Sequence, residues 1–114
     1  MSQRRSHVRE RPRGLRLYSR RGNLLIFDWD PAKASSNLRK HGIAFSEAVT
    51  AFADPFSLTI SDPEHSSREA RYVLIGVTLS GRLVVVAHAE ADDAIVLISA
   101  RPATNAERRS YEEE

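Results

Sequence analysis

The chain has 114 residues, 41% of them hydrophobic, which is enough for one domain with a real apolar core. It contains no Cys, which excludes a disulfide framework and a cysteine-based zinc site and accords with a reducing, cytoplasmic setting. No apolar run approaches the roughly 18 residues a membrane helix needs. The net charge of +2 conceals an asymmetry: residues 1–22 hold eight Arg against one acid, whereas residues 23–114 hold nine Lys/Arg against fourteen acids.

Residues 1–22, MSQRRSHVRERPRGLRLYSRRG, have few apolar residues and no sustained period, the composition of a disordered basic arm. Such an arm reads as a phosphate-contacting tail, as an Arg-rich transit peptide, or as the result of a start codon assigned too far upstream. The folded domain is expected at 23–114. LLIFDW is a short run of β-prone residues and predicts a strand. Asp30-Pro31 then opens a helix, with Asp able to accept from free N–H groups and Pro suited to the first helical position. The helix ends at His41, because Gly42 takes the left-handed C′ position without steric cost. On its wheel Ala34 and Leu38 mark the expected buried side, while Lys33, Asn37 and Lys40 cluster on the other.

Phe45, Ala48, Val49 and Phe52 recur at helical spacing and predict a second amphipathic helix ending before Asp54-Pro55. Phe56 to Ile60 resumes a strand pattern. The segment SDPEHSSREA is a polar loop, and Asp62, Glu64 and His65 within it are expected to be solvated rather than to hold a metal. Three strands follow, Arg71–Val77, Arg82–Ala89 and Ala94–Arg101, with reversals at Ser80-Gly81 and Asp92-Asp93. Thr104-Asn105-Ala106-Glu107 has the form of a capping box and opens a last helix. The architecture expected is α+β: two N-terminal helices packed on a small, mostly antiparallel sheet, with a C-terminal helix.

Register can be carried further. If both reversals are two-residue loops, Val73 pairs with His88 and His88 opposes Leu97. Arg71, Arg82, His88 and Arg101 then share one face of the sheet. A one-residue slip at either reversal would undo this, since it flips every side chain.

FDWDPAKASSNLRKHGIAFSEA, then the E-x-R-Y…G strand of ADPFSLTISDPEHSSREARYVLIGVTLSGRLVVVAHAE, then ISARPATNAERRSYEE, resemble the BrnT family of type II toxin–antitoxin toxins. The likeness covers residues 26 to about 113. It implies a RelE-like fold and a ribonuclease that arrests translation without a metal or other cofactor. It also implies a cognate BrnA-like ribbon-helix-helix antitoxin encoded by an adjacent gene, through which operator DNA is reached. RNA cleavage needs an acid, a base and cations for the charge developing on phosphorus. On that basis His41 and His88 are the acid/base candidates, Lys40, Arg71 and Arg101 the remaining catalytic candidates, and Lys33, Asn37 and Arg82 the phosphate-binding candidates. The chain departs from the family pattern at Ala89-Glu90-Ala91 and at Val96, where many relatives carry Arg. The alternative is a toxin-fold module that has lost catalysis and acts with its antitoxin in operator binding.

Overall fold

In the computed structural model the described residues are 16–18, 24–65, 69–91 and 93–113. The meander forms as expected in outline, from β4 (Arg71–Val77), β5 (Leu83–Ala91) and β6 (Ala94–Pro102). Strand β3 (Leu58–Ser61) adds antiparallel beside β4, and β2 (Leu24–Asp28) adds beside β6 in parallel. Outside β2 lies β1 (Arg16–Tyr18), giving the order β1-β2-β6-β5-β4-β3. Of the arm expected to be disordered, Arg16–Tyr18 is therefore a strand; the rest of that expectation falls outside the described residues.

The sheet is mixed rather than built from hairpins alone. A parallel pair needs a long crossover, and here it runs from β2 through the helices and the meander before returning as β6. The helices also differ from expectation. Only α1 (Pro31–His41) is a full N-terminal helix; the second is one α turn, α2 (Phe45–Ala48), tightening into a 3-10 segment at Val49–Ala53. The last helix is α3 (Asn105–Glu112), whose capping box is complete: Thr104 Oγ1 accepts from Glu107 N, and Glu107 Oε1 accepts from Thr104 N.

Two one-residue slips change which side chains share a face. The β4–β5 turn is three residues, Leu79-Ser80-Gly81, closed by Thr78 N donating to Arg82 O at 2.8 Å, with Gly81 at φ +91°. His88 consequently pairs with Tyr72, and Arg71 pairs with Ala89. A bulge between Ala87 and His88 leaves Ile98 as the extra residue, so Arg101 pairs with Val85 rather than Val84. By alternation, Tyr72, Leu74, Val84, Val86, His88, Leu97 and Ala100 form one face. Arg71, Val73, Val85, Ala87, Ala89, Val96 and Arg101 form the other.

The first of these faces carries the core. Phe27, Ile43, Phe45, Ala48, Val49 and Ala51 pack there on Leu74, Val84, Val86, Leu97 and Ala100. Each large side chain buried in this way contributes about 1.5–3 kcal/mol.

Helix α1 starts and stops as its sequence dictates. Asp30 Oδ1 accepts from Ala32 N at 2.9 Å, and Gly42, at φ +70°, donates back to Leu38 O. Its buried side is not the expected one. Leu38 is 51% exposed, while Asn37 is only 5% exposed and is the helix's one buried residue. The pairing of β2 with β6 ends at Asp28 and Val96, so beyond that point β6 has lost its neighbour on that side. The Asn37 carboxamide takes its place: Nδ2 donates to Ala100 O at 2.8 Å and Oδ1 accepts from Ala100 N at 2.9 Å. Nδ2 also donates to Ile43 O at 2.9 Å, fixing the chain just past the helix. α1 thus lies along the sheet edge, with Ala34 and Leu38 on one flank and Lys33 and Lys40 on the other.

Candidate active site

Four of the expected site residues, Asn37, His88, Arg82 and Arg101, have structural partners. Asn37 is engaged with backbone at both ends of its amide, so it is not a phosphate ligand. His88 is 3% exposed on the core face, edge-on to Phe52 at 4.9 Å and stacked on Tyr72 at 5.7 Å. Burial lowers its pKa, partly offset by the Val86 carbonyl 3.3 Å from Nδ1, so the ring is neutral and faces away from Arg71. The expected sharing of a face by Arg71 and His88 is overturned by the three-residue turn.

The third is Arg82. Its Nε donates to Glu47 Oε2 at 2.9 Å, its second guanidinium nitrogen pairs with Glu47 Oε1, and it also donates to Gly42 O. Arg82, with hydroxyl donors from Ser80 and Thr78, holds the Glu47 carboxyl down at about 2 against the opposing effect of burial. Arg101 is bound in the same way: NH1 and NH2 donate to the two Glu107 carboxylate oxygens, both at 2.8 Å. Arg101 is the main cause that lowers Glu107 to about 2. Both guanidiniums are charge-compensated by bidentate pairs.

Lys33 and Arg71 are brought together. They line a cleft of about 190 Å³ with Trp29, Asp30 and Glu69, over a floor of Ala89, Val96, Leu97 and Ile98. Trp29 is held edge-on by Phe45, with ring centroids 5.9 Å apart. Lys33 and Lys40 fall about 20° apart on the wheel and roughly 10 Å apart along α1, so they share a flank. His41 is exposed at the helix end, roughly 12 Å along the axis from Lys33. Among the described residues no imidazole lines the cleft. A larger cavity, of about 350 Å³ between Leu25 and the β5–β6 turn, has Glu90 and Asp93 at its rim and, among the described residues, no cation. Among the described residues, no three His, Cys, Asp or Glu side chains converge as metal ligands.

Sequence reasoning missed Trp29 and Glu69. The signal was present in the E-x-R spacing, which sets Glu69 two residues before Arg71, the first residue of β4. Of the departures from the family pattern, Val96 falls in this floor, whereas Ala91 lines the larger cavity.

An α+β fold with a mixed sheet carries, where α1 meets the sheet edge, a cleft that sets two cations, Lys33 and Arg71, beside two carboxylates, Asp30 and Glu69. Residues 29–107 match the family model described as "Ribonuclease toxin, BrnT, of type II toxin-antitoxin system", and the chain belongs to that family. A search of curated proteins finds no match. Among solved structures, the ribonuclease toxin BrnT of Brucella abortus, known at 1.1 Å resolution, is 23% identical. The alignment covers 68% of this chain and 94% of that one, with a TM-score of 0.46. Membership of a type II toxin–antitoxin family implies a cognate antitoxin. No helix among the described residues is long and apolar enough to cross a membrane.

Proposed function

We propose that this protein is a cytoplasmic, RelE-like endoribonuclease toxin that cleaves RNA without a metal ion and so arrests translation. A ribbon-helix-helix antitoxin from the adjacent gene would neutralise it and carry it to operator DNA. The observation that carries this reading is the family match over residues 29–107, which spans the Lys33–Arg71 cleft. In that cleft Lys33 and Arg71 hold the scissile phosphate and stabilise the charge of the pentacoordinate phosphorane. Lys40 and His41, farther along the α1 flank, take the RNA backbone as it leaves. Arg101 and Arg82 act indirectly, locking α3 and the β4–β5 turn in place through Glu107 and Glu47.

The test is inducible expression of the full chain beside Lys33→Ala and Arg71→Ala, with and without the neighbouring gene. Growth arrest by the wild type, relieved by the neighbour and by either substitution, is the expected result. Purified protein should cleave RNA in excess chelator. A folded wild-type chain that neither arrests growth nor cuts RNA would sink this reading and favour a toxin-fold module that has lost catalysis.

A further inference from the structure

Resting on the ribonuclease reading above, we propose that Glu69 is the general base that takes the proton from the attacking 2′-hydroxyl of the RNA. Five observations lead to it. Among the described residues, the cleft that gathers Lys33 and Arg71 has two carboxylates on its wall, Asp30 and Glu69. Asp30 is the N-cap of α1, its Oδ1 engaged by Ala32 N at 2.9 Å. Glu47 and Glu107, which also stand beside arginines, are each bound bidentately by one. The two imidazole candidates are elsewhere: His88 is sealed under Tyr72 and Phe52 on the opposite face, and His41 lies a helix length from Lys33. Glu69 is exposed, on the cleft wall with both cations.

The cleft's shape accords with this role. At about 190 Å³ it is smaller than the roughly 300–1,000 Å³ of sites for drug-sized ligands, so it holds part of a nucleotide, such as its base, with the rest outside. The apolar floor and the braced face of Trp29 accept a base by stacking. Its ribose and 3′-phosphate then lie toward the charged rim. Glu69 removes the 2′-OH proton and the 2′-oxygen attacks phosphorus. The P–O5′ bond breaks, and the departing 5′-oxygen takes a proton from Lys33 or from water. The products are a 2′,3′-cyclic phosphate and a 5′-hydroxyl end. Arg71 stays protonated throughout and serves the phosphorane.

The experiment is steady-state cleavage of a ribo-oligonucleotide by the full chain, by Glu69→Gln and by Glu69→Asp, over a pH series, with thermal melting of each. Glu69→Gln should melt like the wild type, keep KM within about threefold and lose about 10²–10⁴-fold in kcat, the usual contribution of general-base catalysis. It should also lose the acidic limb of the pH–rate profile, which Glu69→Asp should retain at a lower rate. A 2′-deoxy residue at the cleavage position should block the wild type. If the wild type cuts but Glu69→Gln keeps its rate within threefold, or keeps the acidic limb, Glu69 is not the base and the ribonuclease reading survives. If the wild type cuts nothing, both fall together.

Discussion

Replacing Asn37 by Leu tests whether α1 is fastened to the sheet by one carboxamide. The substitution removes three hydrogen bonds at a site only 5% exposed and strands the N–H and C=O of Ala100 and the C=O of Ile43. Each such bond is worth about 1 kcal/mol net, and each stranded buried group costs about 1–3 kcal/mol. The added apolar contact returns part of that, leaving a loss of roughly 3–5 kcal/mol. A small domain has only about 5–15 kcal/mol to lose. At about 4–8 °C per kcal/mol, a 3 kcal/mol loss lowers Tm by about 12–24 °C. Urea unfolding followed by circular dichroism and by the emission of Trp29, the single tryptophan, measures it. Leu38→Ala, at a half-exposed position on the same helix, should cost under about 1 kcal/mol. The reasoning fails if Asn37→Leu lies within 1 kcal/mol of wild type, or if Leu38→Ala proves the costlier change.

Tyr111 tethers α3 to the body by donating to Asp54 Oδ2 at 2.7 Å, while Asp54 also accepts from Val77 N and Phe56 N. Burial and the Asp54 carboxylate raise Tyr111 to about 12, so this stability is complete below pH 10 and lost as pH rises through 12. Tyr111→Phe should cost about 1 kcal/mol near neutrality and abolish that alkaline loss, read by melting at pH 8 and pH 11. Glu47 and Glu107, both lowered to about 2, stabilise the fold above the ordinary carboxylate pKa near 4.5, and that contribution disappears as pH falls toward 2. Glu107→Gln should therefore flatten the melting temperature between pH 5 and pH 3. His88, depressed by burial, favours the fold while neutral, so stability should start to fall as pH drops below about 6.5. His88→Phe should remove that slope and leave RNA cleavage unchanged; loss of cleavage in a folded variant would return His88 to the site.

Most of the element order was legible because local chemistry decided it. Asp30-Pro31, the Gly42 stop and the Thr104–Glu107 box each specify a backbone conformation within a few residues. What stayed hidden was tertiary. A wheel assigns the apolar side of α1 inward, but α1 lies beside an interrupted strand, and an orphaned β6 backbone recruits Asn37 there instead of Leu38. The sequence makes Lys33 one of three phosphate-binding candidates, with Asn37 and Arg82. Only its closeness to Arg71 sets it apart, and that closeness follows from β2 ending beside Val96, where the chain turns into α1.

The site itself turned on parity. A two-residue turn and an unbroken β5–β6 ladder would have placed Arg71, His88 and Arg101 on one face. Gly81 lengthens the turn by one residue, which moves Arg71 across the sheet from His88. The Ile98 bulge adds one residue to β6, which moves Arg101 across as well. Two slips of the same size therefore leave Arg71 and Arg101 together and exclude His88, which the core then buries, along with Arg82, which keeps the parity of His88 on its strand. A bulge is invisible to residue type, since Ile98 reads like any other strand residue, and a turn of Ser-Gly is compatible with two or three residues. The consequence is chemical as well as geometric: with His88 removed to the core, the cationic face must find its base among carboxylates. Glu69, two residues before Arg71, is the one the cleft supplies.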